Sequence, residues 1–357
     1  MTVGVLRDRH VELLRQHRVA DGLPAGCVRP LRAAERYHTW SQVAAEPALT
    51  RLNRLSTVRL RPDPYTGADL GASQWVLDAQ APELFGLAEV AGWAVRTPFY
   101  AGVFPTGSMN ALCRPMPGTG VLVLVDSGVL HLVPDVLKIM IVSRPAFGDA
   151  PLLDPDQAAS ALAEVFNAHL FGNGAAAARP LPDLSGQRLD LLRLMTRRAT
   201  QFVVAHEMAH VLAGHLIVSW RQTDPNTPVG ALDMQAVGWP REYEADRMAA
   251  RIMLASLDGL SPWERDTVEP YLVGAVLLVL ALHEVVAVLA DAAGRVLPFT
   301  GSHPPPLLRI RAMVDHLAEH LRAPESIAVA ADLATWLDER VPAVLEWLTM
   351  VDVPPRP

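Results

Sequence analysis

Apolar residues recur at helical spacing through most of the chain, with polar residues between them. The spacing predicts helices over 82–95, 156–171, 187–219, 241–257, 264–292, 305–322 and 325–349. Met1 to Arg18 adds an amphipathic helix, studded with Arg7, Asp8, Arg9, Glu12, Arg15 and Arg18. Residues 98–143 read differently: Val121 to Val125 is a continuous apolar run between Gly- and Pro-bearing segments, and strands are expected in this stretch alone. Residues 172–182 and 223–240 are rich in Gly or Pro and read as loops. The second joins two helices and is placed to act as a lid. The fold class that follows is α+β, mostly helical, with a small β-sheet. Three parts are expected: an Arg-rich helical extension over 1–80, a main domain over 81–323, and a C-terminal helix over 324–357 packed on it.

The longest apolar run, Tyr271 to Leu282, is 12 residues and ends at His283 and Glu284. A bilayer span needs about 18 or more, and a charge within it is costly. The run is expected to be a buried core helix, and no transmembrane span is expected. The N-terminus lacks the apolar stretch and small-residue cleavage site of a signal peptide.

Composition adds less. With 357 residues and 50% hydrophobic content the chain can bury a large core. Residues 1–61 hold 11 Arg against 5 Asp and Glu, a balance of +6 within a chain of net charge −7. A basic segment packing on an acidic remainder is the expected arrangement. It leaves peripheral contact with an anionic membrane surface open, and no specific nucleic-acid binding is expected. Cys27 and Cys113 have neither disulfide-framework nor zinc-finger spacing. Free thiols of a reducing, cytoplasmic protein are the expectation.

Chemistry enters at 206–210, which read His-Glu-Met-Ala-His. Residues four apart share a helix face, so His206 and His210 can take two corners of a tetrahedral zinc site. Glu207 is offset from that face, near enough to take a proton from a water that the metal activates. Apolar flanks, Phe202 to Ala205 and Val211 to Ala213, predict burial of this helix. A third ligand must come from elsewhere. His215 lies about 180° around an unbroken helix from His206 and cannot share its metal. Residues 241–250 offer Glu242 and Asp246, four apart on one face, with Glu244 about 200° from Glu242. Alone, that pair reads as a solvated face. After H-E-x-x-H it reads as a ligand, Glu242, and an acceptor, Asp246, for a ligand imidazole N–H.

A third segment, Ser302-His303-Pro304-Pro305 with Arg309-Ile310, places prolines at a helix start and His303 just outside it. With these three motifs in this order, the chain resembles the gluzincin peptidases related to the heat-shock protease HtpX and the CAAX prenyl endopeptidases. The resemblance covers roughly residues 90–323. It departs from the family in lacking several membrane spans. It implies a zincin-like catalytic domain with the small sheet beside the H-E-x-x-H helix. It also implies a strand carrying Asn110 and Ala111 beside the cleft, where an extended substrate pairs. An ordinary hairpin is the competing account of that strand.

The expected activity is zinc-dependent endopeptidase cleavage of a protein or precursor peptide, with Zn²⁺ on His206, His210 and Glu242 and Glu207 as general base. His303 is the first candidate donor to the tetrahedral oxyanion and Tyr243 the second. Two other accounts of His303 stay open: a fourth zinc ligand that holds the enzyme latent, or a helix-flanking residue with no catalytic part. A zinc-stabilised regulatory or binding protein without turnover is the reading from another class. An intact Glu207 argues against it, because a structural zinc needs no general base.

Overall fold

The apolar run of Val121 to Val125 becomes the middle strand of a small sheet. β3 (Gly120–Asp126) lies between β1 (Phe99–Phe104), to which it is parallel, and β2 (Ala111–Met116), to which it is antiparallel. The two-residue period of a strand splits its side chains. Val121, Val123 and Val125 face the main core with Phe99, Ala101, Val103 and Cys113. Leu122 and Leu124 face the other way, with Tyr100, Phe104 and Met116, against Leu6, Val11 and Leu13 of α1 (Thr2–Asp21). β3 is therefore buried on both faces, which explains its unbroken hydrophobicity. Helix and sheet come close at Gly102, where a β-carbon would lie 2.5 Å from the His10 ring. His10 Nε2 meets Val103 O at 2.7 Å. Burial pushes this imidazole down to about 4, so it is neutral and donates from Nε2.

The computed structural model describes residues 2–21, 67–104, 109–116, 118–145, 147, 149–171, 181–216, 239–292, 303–323 and 325–350. The lid expected at 223–240 and the loop at 172–182 fall mostly outside them, as do Cys27, Ser302 and most of residues 22–80. The other helices are α2 (Gly67–Val90), α3 (Ser127–Val142), α4 (Pro155–Phe171), α5 (Gly186–Leu212), α6 (Trp239–Leu254), α7 (Pro262–Ala292), α8 (Pro306–Ala318), α9 (Glu325–Asp338) and α10 (Val341–Met350). The molecule is mostly helical with a three-stranded sheet, as the pattern predicts.

Four boundaries differ from expectation. Strands do not continue to 143: α3 follows β3 directly, and every residue of it but His131 is buried. Periodicity cannot separate such a run from a buried strand. α2 begins at Gly67 rather than 82 and carries Pro82 inside it. Leu77 and Leu84 are both buried, so packing holds the helix on each side of the proline. α5 stops at Leu212, well short of 219. The helix expected over 325–349 is two, α9 and α10, parted at the turn of Glu339 and Arg340; Pro342, the second residue of α10, has no N–H with which to bond Asp338 O and continue α9.

α7 runs through the centre. It continues past His283 to Ala292 and is long and apolar enough to cross a bilayer, yet 78% of its most apolar 18-residue window is buried inside the fold. α5, α8 and α9 pack along it. α5 also touches α6 and β2, so the H-E-x-x-H turn sits between the sheet edge and the Glu242 helix.

Candidate metal centre

The last two turns of α5 carry His206, Glu207 and His210, all buried among Val204, Ala205, Met208 and Ala209. α6 packs across them and brings Glu242, fully buried, to the same point. His206 Nε2 and His210 Nε2 are 3.2 Å apart. Glu242 Oε2 lies 3.4 Å from the first and Oε1 3.4 Å from the second. A tetrahedral ion with bonds of about 2.0–2.1 Å holds its ligand atoms about 3.3–3.4 Å apart. Both Glu242 oxygens are buried and receive no hydrogen bond. A buried carboxylate without a hydrogen bond, facing two imidazole nitrogens at this spacing, fits a cation. His206, His210 and Glu242 can hold a metal ion.

The atoms facing away from this point are also engaged. His206 Nδ1 is 2.9 Å from Asp246 Oδ1. Arg309 of α8 grips Asp246 with two bonds, Nε to Oδ2 at 2.8 Å and Nη2 to Oδ1 at 2.7 Å. A metal-ligating imidazole commonly donates its second N–H to such a carboxylate, which fixes ring and tautomer. Arg309, noted in the sequence only as part of a motif, thus holds the group that holds His206.

His210 is supported differently. α5 ends in a left-handed residue, Gly214, at φ 73°. Gly214 N bonds Val211 O at 3.1 Å and His215 N bonds His210 O at 3.0 Å. This paired closure is the common glycine-terminated helix end. It reverses the chain and folds His215 back onto the helix it has just left. His215 Nδ1 meets His210 Nδ1 at 2.9 Å, and its Nε2 meets Glu244 Oε2 at 3.1 Å. The spacing argument that sets His215 and Glu244 far from the ligand face assumes unbroken helices. The Gly after Ala213 was the available signal that α5 does not continue.

Charge follows from these contacts. Burial opposes a proton on His206, but Asp246 and Glu242 outweigh it and lift the imidazole to about 10. Burial and the neighbouring His206 push His210 down to about 3. Glu242 is held down to about 2 by the histidines around it, against its burial. Arg309 holds Asp246 well below the usual carboxylate range, again against burial. Glu207 moves the other way: burial raises its carboxyl above the usual range. The Cys113 thiol, on β2, donates to Glu207 O at 2.9 Å, and burial with the nearby carboxylates raises its pKa.

The remaining candidates lie around this core. His303 is half-buried, with Nε2 3.3 Å from Glu242 Oε2. Burial lowers its pKa, so it is a neutral ring beside the carboxylate. Tyr243 is half-buried one residue after Glu242. Asn110 and Ala111 are half-buried at the start of β2; Asn110 O accepts from Asp126 N at 2.9 Å, and Ala111 pairs with Val125. His283 of α7 meets the preceding carbonyl, Met109 O, through Nε2 at 3.0 Å. Burial pushes His283 down to about 3, so it is neutral and donates. In the sequence it registered only as an interruption of an apolar run; a polar residue there calls for a buried partner.

No family model, curated protein or solved structure matches the chain.

Proposed function

We propose that the chain is a zinc-dependent endopeptidase of the gluzincin type, related to the HtpX and CAAX prenyl endopeptidase group that its motifs resemble. The observation that carries this is Glu207: a buried carboxyl whose pKa burial raises, one residue from a candidate metal-ligating imidazole. A purely structural metal site has no use for it. Zinc suits two imidazoles and a carboxylate, and when bound it lowers the pKa of water and polarises a carbonyl.

The residues divide the work. His206, His210 and Glu242 hold the cation. Asp246 and His215 keep the two rings turned toward it. Glu207 accepts the proton of the attacking water and returns it to the leaving amine; a base with a raised pKa is suited to both transfers. His303 or Tyr243 donates to the oxyanion that forms on the scissile carbonyl. The start of β2, with Asn110 and Ala111, aligns the substrate backbone.

Glu207→Gln is the test, with metal content and digestion of a peptide library as readouts. Metal is expected to stay and hydrolysis to fall by about 10²–10⁴-fold. Cleavage at the wild-type rate would overturn the assignment. The closeness of His303 to Glu242 favours a second reading, a closed four-ligand zinc in a binding protein. That reading expects no turnover in the wild type and none in His303→Ala.

A further inference from the structure

A second group of ligand-type side chains stands at the far end of α8. His316, Glu319 and His320 read H-x-x-E-H, and each offers one ligand atom within 4.8 Å of the others. The two rings are one helical turn apart, with centroids at 4.4 Å.

A hydrogen bond decides which nitrogen of His320 carries its proton. His320 Nδ1 meets the main-chain carbonyl of His316 at 2.8 Å. The His316 ring stands against the main chain of Arg247 on α6, and its Nε2 is buried and takes no hydrogen bond. A carbonyl can only accept. His320 therefore holds its proton on Nδ1 and presents a lone pair at Nε2. This is the tautomer a metal-ligating histidine needs, with the other N–H already given to an oxygen.

The surroundings bear on a cation in both directions. The group occupies the last turn of α8 and its cap, where unsatisfied carbonyls favour positive charge. Glu319 adds a carboxylate. Arg247 opposes, and with burial and His320 it lowers the His316 pKa, which keeps that ring unprotonated at neutral pH. The face is open: His316 is half-buried, while Glu319 and His320 are exposed, so water can complete the coordination.

We infer that His316, Glu319 and His320 form a second divalent-metal site, on the surface and separate from the first. Two imidazoles and one carboxylate select the zinc, copper and nickel class over magnesium or calcium. Having three open-face ligands and a cationic neighbour, it binds more weakly than the buried site. An ion there ties the last turn of α8 to the residues just beyond it.

The test is zinc stoichiometry of the full chain by equilibrium dialysis and metal analysis over a range of free zinc. Wild type is expected to take up two equivalents, the second at higher free zinc. His320→Ala, at an exposed position, is expected to lose the second equivalent, and Glu319→Gln to weaken it. His210→Ala is expected to lose the tight equivalent and keep the weak one, so failure of the buried site and failure of this one are distinguishable. Circular dichroism checks that each variant folds. One equivalent in wild type at every zinc level, or two in His320→Ala, would overturn the inference.

Discussion

Replacing His215 by phenylalanine removes the nitrogen that meets His210 Nδ1 and keeps a ring of similar bulk against α5. The expected result is a folded protein with metal affinity lower by about 10–100-fold, the usual effect of losing a group that orients a ligand. Competition with a chromogenic chelator measures it; an unchanged affinity would remove His215 from the site. A second prediction concerns His206. In the metal-free site its imidazole titrates near 10, so it carries a proton at neutral pH. A ligand nitrogen needs its lone pair, so metal uptake below that pH must expel the proton. Apparent affinity should rise about tenfold per pH unit toward about 10, with about one proton released per metal. Calorimetric titration in buffers of different ionisation enthalpy reads that number, and zero would be incompatible. At this scale the sequence disclosed the ligands because helical spacing is local. It concealed His215, Glu244 and His283, whose contacts depend on where the chain turns and what packs against it.

Among the elements, α5 depends on how it stops. Gly214 sits at φ 73°, a conformation costly for a β-branched residue. Gly214→Val should cost roughly 1–2 kcal/mol, and Gly214→Asn less, because Asn tolerates the left-handed region. Thermal melts give the order. If the paired closure is what delivers His215, metal affinity falls in the same order; equal affinities in both variants would break that connection. The elements were legible in proportion to their periodicity. α4, α7 and β3 stand close to where the pattern puts them. α3 does not, since an all-round apolar run has no period to read, and α2 does not, since Pro82 resembles a helix start and lies within one.

For the molecule as a whole, the candidate metal ligands join elements distant in sequence. His206 and His210 close α5, Glu242 opens α6, and Arg309 ties α8 to the same cluster through Asp246. A ligand bound only by the native state at free concentration L stabilises it by RT ln(1 + L/Kd), about 2.7 kcal/mol at a hundredfold excess over Kd. Zinc should therefore raise the melting temperature by several degrees and chelation should lower it. Melts that do not change with metal would mean that the three ligands do not bind it in the folded chain. The α+β class was legible because helical spacing fills most of the sequence and strand-like runs do not. The junction of α5, α6 and α8 was legible only through motif order, because nothing local in the sequence states which helices meet.

β2 has a further consequence for what it can accept. Asn110 O takes the Asp126 N–H, so alternation turns Asn110, Leu112 and Arg114 toward β3 and leaves Ala111, Cys113 and Pro115 with their main-chain groups outward. Proline has no N–H. The outer edge thus has two amide donors, at Ala111 and Cys113, and then falls silent as a donor. Under the proposed function, an extended substrate laid along it would be gripped in both directions over about four residues and only by its own N–H groups beyond. In that role the strand would serve as a short ruler, counting off a few residues of substrate backbone without regard to their side chains.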